Sequence, residues 1–224
     1  MNKMPTYICT DWETGGFDPK GNAVTEFAAI AINGDTLEEI ARYEAMIAPY
    51  DDELLYDPKA LEVTKISMSM IQSGIPFKTF MKEKKAFLKK VAIHTGAKYK
   101  PIMVGHNIVF DIGFTQQVFK KDGSKVQDYY ACQEDYFGNH YPKYLDTLNL
   151  AYLRWGNDET MISHKLTDCV HKIGEEIVDA HRAMNDVEAT TTLFVDMIKK
   201  IRNQGNTIEA AIELPTRFRE EFKF

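Results

Sequence analysis

The first 48 residues contain three short apolar runs of the kind that forms β-strands. Two of them cover 7–12 and 24–32, and the turn-forming triplet Asn33-Gly34-Asp35 leads to a third candidate strand over 42–48. Connections this short favour antiparallel pairing between neighbouring strands. The N-terminal part of the chain is therefore predicted to form three antiparallel strands.

After residue 48 most apolar positions recur with helical spacing. Segment 77–94 places Phe80, Phe87, Leu88 and Val91 on one side, and its lysines are predicted to form a solvated face. The other predicted elements are a helical region over 60–71, a strand over 102–104, a helix to about 121, a strand or turn that becomes helical over 145–153, a short helix over 165–173 and a long helix over 180–201. Early strands followed by strands that alternate with helices predict a mixed α/β sheet with helices on both faces.

Length and composition limit the class of protein. The 224 residues, of which 44% are hydrophobic and 27% charged, suit one domain over 1–202 and a C-terminal extension over 203–224. No apolar run is long enough to cross a bilayer, and the N-terminus lacks the features of a secretory signal. We therefore expect a cytoplasmic protein without a membrane partner.

The three cysteines, Cys9, Cys132 and Cys169, show no CxxC spacing and are expected to be reduced thiols. A zinc site could draw on Cys132, His140, His164, Cys169 and His171. Their spacings match no common zinc finger, and Cys169 falls on an apolar helical stripe. A buried core cysteine is the better interpretation of Cys169.

The formal net charge is −6 and the pI is about 5.6. Broad electrostatic binding of nucleic acid normally requires a basic surface, which this chain does not have overall. A protein that holds phosphate through bound cations escapes that requirement. The charge therefore favours a metal-bridged substrate.

Asp11 and Glu13 lie two residues apart at the end of the first predicted strand. Side chains two apart point to the same face of a strand, so Trp12 is predicted to enter the core. Two adjacent carboxylates repel each other unless a cation lies between them, and oxygen ligands favour Mg²⁺ or Mn²⁺. Gly15 and Gly16 would let a substrate backbone approach. Taken alone, this motif is weak, and an ordinary strand end followed by a turn is the preferred interpretation.

Asp111 follows the predicted strand over 102–104. Asn107 is placed to cap the next helix, and Asp111 comes one helical turn later, at the sheet edge where ligands of open α/β sheets bind. By itself, Asp111 is better interpreted as an exposed helical aspartate. Phe110 and Phe114 are expected in the core, although one of them could lie against a base.

His181 and Asp186 are five residues apart, which on a continuous helix corresponds to roughly 500°. The two side chains therefore converge only if His181 precedes the helix or lies in its first turn. A histidine outside the helix would suit a mobile base beside a fixed metal ligand. An exposed histidine and a solvated aspartate are the alternative.

Taken together, DWETGG, GHNIVFD and HRAMND resemble, in this order, the three motifs of the DEDDh exonuclease superfamily. LDTLNLA and HKLTDCVHKIG extend the resemblance towards ribonuclease T and the proofreading subunit of bacterial DNA polymerase III, over roughly residues 6 to 200. The resemblance implies a ribonuclease H-like fold, a five-stranded mixed sheet with the first acidic pair on its central strand. Thr14-Gly15-Gly16 departs mildly from the family pattern.

The resemblance also implies a metal-dependent 3′–5′ exonuclease that acts on single-stranded DNA or RNA. Asp11, Glu13, Asp111 and Asp186 would hold two Mg²⁺ ions, for which Mn²⁺ can substitute, and His181 would be the general base. Substrate contacts are assigned to Thr14, Gly15, Leu61, Val63, Asn107 and Phe114. The expected partners are a nucleic-acid 3′ end and a polymerase or a second copy of the chain.

Two other functions are consistent with parts of this pattern. One is a catalytically inactive module of the same fold that binds nucleic acid or a polymerase; the complete acidic set counts against it. The other is a hydrolase of small nucleotides, which would ignore oligonucleotides. The C-terminal tail could dock a partner through Phe218, Phe222 and Phe224 or pack on its own domain.

Overall fold

The structure, a computed structural model, describes residues 5–95, 100–177 and 182–211. The strands are β1 Tyr7–Thr14, β2 Val24–Ile32, β3 Glu39–Met46, β4 Ile102–Gly105, β5 Cys132–Glu134, β6 His140–Pro142 and β7 Tyr144–Asp146. The helices are α1 Pro58–Thr64, α2 Met68–Gln72, α3 Phe77–Thr95, α4 Val109–Asp122, α5 Thr147–Trp155, α6 Leu166–Lys172 and α7 Ala183–Ala211, with a 3₁₀ turn at Val126–Asp128. Among the described helices, none has the length and apolar character needed to cross a membrane.

The main sheet has five strands in the order β3-β2-β1-β4-β7. β1 pairs antiparallel with β2, which pairs antiparallel with β3, while β4 is parallel to β1 and β7 is parallel to β4. The predicted mixed five-stranded sheet is confirmed, and β1 is its central strand. Strand bounds differ from the predicted ones by a few residues, most clearly at β3, which begins at Glu39.

A small second sheet was not predicted. The polar, aromatic segment before β7 forms a hairpin of β5 and β6, paired over three residues on each strand. Tyr136 and Phe137 lie exposed in its turn. Strands this short and this polar carry almost no periodic signal, which explains why the sequence did not indicate them.

Helices cover both faces of the main sheet, as predicted. On one face, α3 and α4 pack on Ile8, Trp12 and Phe27. On the other, α7 packs on Cys9, Ala28 and Ile30. α6 joins α5 and α7 through the buried Cys169, so the core interpretation of this cysteine is confirmed. α7 also continues without a break across the predicted domain boundary at 202/203.

The prediction of a solvated lysine face on α3 is wrong for one residue. Lys78, Lys82, Lys89 and Lys90 are exposed, but Lys84 is 0% exposed. Lys84 follows Phe80 by one helical turn, and residues four apart share a helix face. It therefore lies on the apolar stripe and enters the core, where its Nζ is 4.0 Å from the centre of the Trp12 ring.

Candidate active site

The acidic pair lies on the face of β1 that α7 covers. Trp12 points to the opposite face and is buried against α3 and α4, as the strand alternation predicted. Ala28 is the residue of β2 directly opposite Asp11, and its small side chain leaves space beside the carboxylate. Glu13 is buried, while Asp11 keeps part of its surface open to solvent.

Asp186 completes a three-carboxylate cluster. It lies in the first turn of α7, and one carboxylate oxygen each from Asp11, Glu13 and Asp186 lie within 4.8 Å of one another. These residues come from two elements separated by about 170 positions in the chain. The tertiary fold thus brings together the acids of the first and third sequence motifs.

Asp111 reaches the same region from the first turn of α4. Its Oδ1 accepts a hydrogen bond of 3.0 Å from the backbone N–H of Trp12, between the two acids of β1. The Trp12 indole Nε1 donates to Thr115 Oγ1, also at 3.0 Å, one turn further along α4. Trp12 therefore attaches two successive turns of α4 to the central strand and fixes Asp111 beside Asp11.

The predicted capping role of Asn107 is wrong. α4 begins at Val109, and no side chain caps it at the preceding Ile108. Asn107 instead adopts a left-handed backbone conformation with φ 64°, and its N–H donates to Asp146 Oδ1 at 2.9 Å. Asp146 also accepts from Leu148 N–H as the cap of α5. Asn107 is exposed at the strand-end edge, so its side chain is free of the capping role.

The electrostatics of the cluster oppose ionisation of its acids. Burial raises the pKa of Asp11, and Asp111, Glu13, Asp186 and Glu26 raise it further. The pKa of Glu13 is raised in the same way, by burial and then by Asp186 and Glu26. Burial also raises the pKa of Asp111, against the hydrogen bond from Trp12. A compensating positive charge is needed for all of these carboxylates to be ionised together.

A divalent cation fits this need. All donors are carboxylate oxygens, the ligands preferred by hard cations such as Mg²⁺ and Mn²⁺, and the three oxygens are close enough to share one ion. Asp11 and Asp186 keep solvent-facing surface through which an ion can enter. Asp111 adds a fourth carboxylate on the α4 side.

Two polar residues near the cluster were missed in the sequence. Glu26 of β2 is opposite Glu13 and is buried, and it is paired with Arg182 at 2.7 Å between Oε1 and Nη2. The available signal was a lone acid inside the apolar run VTEFAAIAI, together with an arginine four residues before Asp186. Their pairing joins residues 156 positions apart, which only the tertiary structure reveals.

The glycine pair is packed against the chain itself. A Cβ on Gly15 would lie 2.7 Å from the carbonyl oxygen of Leu55, so glycine is required there by the loop that precedes α1. The Thr14 hydroxyl is buried and donates to the Gly16 carbonyl at 2.7 Å. The Gly15 carbonyl accepts from Asp57 N–H, the N-cap residue of α1, at 2.7 Å.

The candidate substrate contacts on α1 and α4 differ in exposure. On α1, Leu61 is half-buried and Val63 is 59% exposed. Phe114 is fully buried in the core and offers no surface to a substrate, whereas its ring neighbour Phe110 is half-buried. Phe110 contacts Phe17, which is 86% exposed directly after the glycine pair. Phe17 was missed, although an aromatic residue immediately after DWETGG was a visible signal.

His181 lies outside the described residues, as do the phenylalanines of the C-terminal tail. Arg182 is the first residue described after His181. The role of this histidine therefore stays a prediction.

Comparison with known proteins places this site in a family. The family model of exonucleases of the RNase T type matches residues 8–194. A PolC-type DNA polymerase III from Bacillus cereus is 28% identical over 200 residues, 89% of this chain and 12% of the polymerase. The 3′-5′ exonuclease DinG of Bacillus subtilis is 28% identical over 207 residues, 90% of this chain and 18% of DinG. The chain thus spans less than a fifth of these relatives.

Solved structures with the same fold include E. coli exonuclease I. Its complex with a dT13 oligonucleotide superposes with a TM-score of 0.70 at 22% identity, covering 92% of this chain and 43% of exonuclease I. A zinc-bound complex of exonuclease I with single-stranded DNA gives a TM-score of 0.65 at 21% identity, with 85% and 40% covered. The predicted ribonuclease H-like fold is confirmed. The family model matches 187 of the 224 positions, so the chain belongs to the RNase T family of exonucleases, the DEDD-type 3′–5′ group.

Proposed function

We propose that the chain is a metal-dependent 3′–5′ exonuclease that hydrolyses the terminal phosphodiester of single-stranded DNA or RNA and releases nucleoside 5′-monophosphates. The observation that carries the proposal is the carboxylate cluster of Asp11, Glu13 and Asp186, with Asp111 beside it. A phosphodiester will not approach these acids unless cations reverse the local field.

The four acids would hold Mg²⁺, and Asp11 interacts electrostatically with each of the other three, Glu13, Asp111 and Asp186. When bound, divalent cations polarise the phosphoryl oxygens and make a bound water more acidic. Trp12 and α7 hold the acids in place before substrate arrives, which keeps the site organised for turnover.

His181 would act as the general base. An unperturbed imidazole has a pKa near 6.5, so it can accept a proton at neutral pH. In the reaction a water oxygen bonds to phosphorus, its proton passes to His181, and the bond from phosphorus to the 3′ oxygen breaks. The leaving 3′ oxygen takes up a proton, and the products are a shortened strand and a nucleoside 5′-monophosphate.

The surface beside the cluster supports a single-stranded end as the substrate. Phe17 offers an exposed ring with Phe110 behind it. Val63 is exposed on α1, whose N-cap residue Asp57 is hydrogen-bonded to Gly15. Aromatic rings next to a phosphate site can stack on unpaired bases. The exonuclease I structures with oligonucleotides make single-stranded DNA the first substrate to test.

The polymerase partner also stays a proposal. In the PolC-type relative, the matched region is 12% of a much longer polymerase chain. By analogy with this relative, we propose that the chain acts together with a polymerase. Co-elution of the chain with a purified replicative polymerase, compared with the chain alone, would test for this partner and for a homodimer together.

The activity is tested with single-stranded DNA and RNA of one sequence, each labelled at either end, in the presence of Mg²⁺. We expect a ladder from the 5′-labelled strands and immediate release of a labelled mononucleotide from the 3′-labelled strands. His181→Ala is expected to keep its metals and lose about 10²–10⁴-fold in turnover.

Three results would contradict the proposal. Binding without cleavage would indicate the inactive module, and hydrolysis of free nucleotides alone would indicate a small-nucleotide hydrolase. Early release of the 5′ label would show that degradation runs from the 5′ end. Asp11→Ala, run in parallel, controls for a contaminating nuclease.

A further inference from the structure

Glu26 is the one charged residue of β2, a strand whose nine residues are all buried. It is 1% exposed and lies directly opposite Glu13 in the antiparallel register. Cross-strand partners share a face of the sheet, so Glu26 faces the carboxylate cluster and α7. A fifth acid at this position would add to the repulsion if nothing compensated it.

Both oxygens of Glu26 are already engaged by the start of α7. Arg182 donates from Nη2 to Oε1 at 2.7 Å and from Nε to Oε2 at 3.1 Å. The backbone N–H of Ala183 donates to Oε2 at 3.2 Å. Glu26 therefore accepts three hydrogen bonds within the protein and has its charge paired with Arg182, so it is less suited than Asp11 or Glu13 to bind a cation.

These contacts fix the first turn of the helix that carries Asp186. The first N–H groups of a helix have no partner within the helix, and Glu26 supplies one for Ala183 from a neighbouring strand. The N–H of Asp186 donates to the Arg182 carbonyl at 3.1 Å, which closes the same turn. Position and rotation of Asp186 thus depend directly on the residues that Glu26 holds.

The charge of the pair also reaches the cluster. Glu26 raises the pKa of Glu13, while Arg182 lowers it. Because the two effects oppose each other, the intact pair disfavours ionisation of Glu13 less than Glu26 alone would. Loss of Arg182 alone would leave a buried carboxylate without compensation next to the cluster.

We propose that Glu26 and Arg182 are positioning residues of the active site, which anchor the N-terminus of α7 to β2 so that Asp186 meets Asp11 and Glu13. The inference rests on the proposed function, because it assigns the pair to the same cation site. Neither residue touches substrate in this role. Groups that orient metal ligands in this way change metal affinity or activity by about 10–100-fold when they are removed.

The test compares Glu26→Gln and Arg182→Met with the wild-type chain, at a temperature at which circular dichroism shows all of them folded. We expect Glu26→Gln to raise the Mg²⁺ concentration for half-maximal activity by about 10–100-fold, with saturating Mg²⁺ restoring much of the rate. The KM for the oligonucleotide should stay unchanged, since the proposed base-stacking surface of Phe17 and Phe110 is not altered.

Arg182→Met should be more impaired than Glu26→Gln, because it leaves the buried charge of Glu26 unpaired. The double variant should be less impaired than Arg182→Met alone, which is the non-additivity expected of a coupled pair. Arg182→Lys keeps the charge on a half-exposed side chain and should show a smaller rise in Mg²⁺ requirement. If Glu26→Gln does not fold, the Mg²⁺ requirement of Arg182→Lys still tests the positioning role.

The matched control is Asp196→Asn, which breaks the 2.6 Å ion pair between Asp196 of α7 and Arg154 of α5. This pair also ties α7 to the domain but lies more than two helical turns beyond Asp186. We expect it to lower the thermal midpoint without changing the Mg²⁺ requirement. The same behaviour in Glu26→Gln and Arg182→Lys would overturn the positioning role and leave only a stabilising one.

Calorimetric titration with Mn²⁺ separates this inference from the proposed function. A wild-type chain that binds Mn²⁺ but cleaves no oligonucleotide would contradict the function alone. The pair would then be judged by affinity: weaker Mn²⁺ binding in Glu26→Gln than in Asp196→Asn supports the inference, and equal binding overturns it.

Discussion

The two faces of β1 both bury ionisable side chains, and they do so in different ways. On the α7 face, Asp11 and Glu13 meet Asp186 in a cluster of like charges with some surface open to solvent. On the other face, Trp12 packs against Lys84, whose Nζ is sealed among aromatic rings and makes no hydrogen bond with any described residue. A buried charge indicates a ligand site only where a compensating ion can reach it, and only the α7 face satisfies that condition.

The largest effect is expected from removing an acid of the α7 face. Asp11→Ala and Asp186→Ala should lose turnover by roughly 10³-fold or more, because groups that act as one unit fail together. Mn²⁺ binding, measured by calorimetry, should be lost in parallel. Full activity of either variant would remove that carboxylate from the site. EDTA should abolish wild-type activity, and Mg²⁺ or Mn²⁺ should restore it.

The next largest effect is expected in the pH dependence of stability, which should have opposite signs for the acids and for Lys84 on the two faces of β1. The pKa values of Glu13 and Asp111 are raised to about 8, so the folded state holds protons that the unfolded chain has released. In EDTA, the stability from these acids is complete below the ordinary carboxylate range and is lost as the pH rises towards 8. Denaturant unfolding from pH 5 to 8.5 should show this fall, and saturating Mg²⁺ should reduce it.

Lys84 acts with the opposite sign in the same measurement. Burial lowers the pKa of its amine well below the ordinary value, so its contribution to stability rises with pH. Repeating the titration in Lys84→Met removes the contribution of this amine and should steepen the fall in EDTA. A flat profile in Lys84→Met with EDTA would show that the acids of the α7 face are not perturbed.

A smaller effect, on stability, is expected when Lys84 is replaced on the face of β1 that carries Trp12, here called the aromatic face. Lys84→Met keeps the length of the side chain and removes a buried polar group without a hydrogen bond, a group that costs about 1–3 kcal/mol. The free energy of unfolding should therefore rise, in the same experiment, by part or all of that amount. Lys82→Met, on the exposed side of α3, is the matched control and should change little. Destabilisation by Lys84→Met would show that contacts of the amine with the rings outweigh its desolvation.

The smallest loss of turnover is expected from Thr115→Val, which removes the acceptor of the Trp12 indole N–H with little change of shape. Loss of such a hydrogen bond costs about 1–3 kcal/mol in stability when the donor is left buried. The backbone N–H of Trp12 still binds Asp111, so turnover should fall only a few-fold at most. A loss as large as that of Asp186→Ala would show that the indole contact, rather than the backbone contact, positions Asp111.

The sequence predicted the α7 face better than the aromatic face. Strand alternation placed Asp11, Trp12 and Glu13 correctly, and the motif order predicted that Asp111 and Asp186 would join them. These inferences used local periodicity and the family resemblance, both of which are visible along the chain. Phe114 was also expected in the core and is buried there. Phe17 lies in the irregular loop between β1 and β2, where no periodic pattern indicates which side chains face solvent.

Lys84 and Glu26 show two different limits on what can be predicted from the sequence. Lys84 was on the apolar stripe of α3, one turn from Phe80, so periodicity alone could have predicted its burial; its charge led to the wrong expectation. Glu26 could be recognised as unusual within an apolar strand, but its partner Arg182 lies 156 residues away. The β5–β6 hairpin is too short to leave a pattern at all.

The most direct test of the account is an anomalous difference map from a crystal soaked in Mn²⁺. We expect density among the carboxylates of Asp11, Glu13 and Asp186, with a second peak towards Asp111, and none in crystals of Asp186→Ala. Density confined to other parts of the molecule, or none between these acids at saturating Mn²⁺, would contradict it.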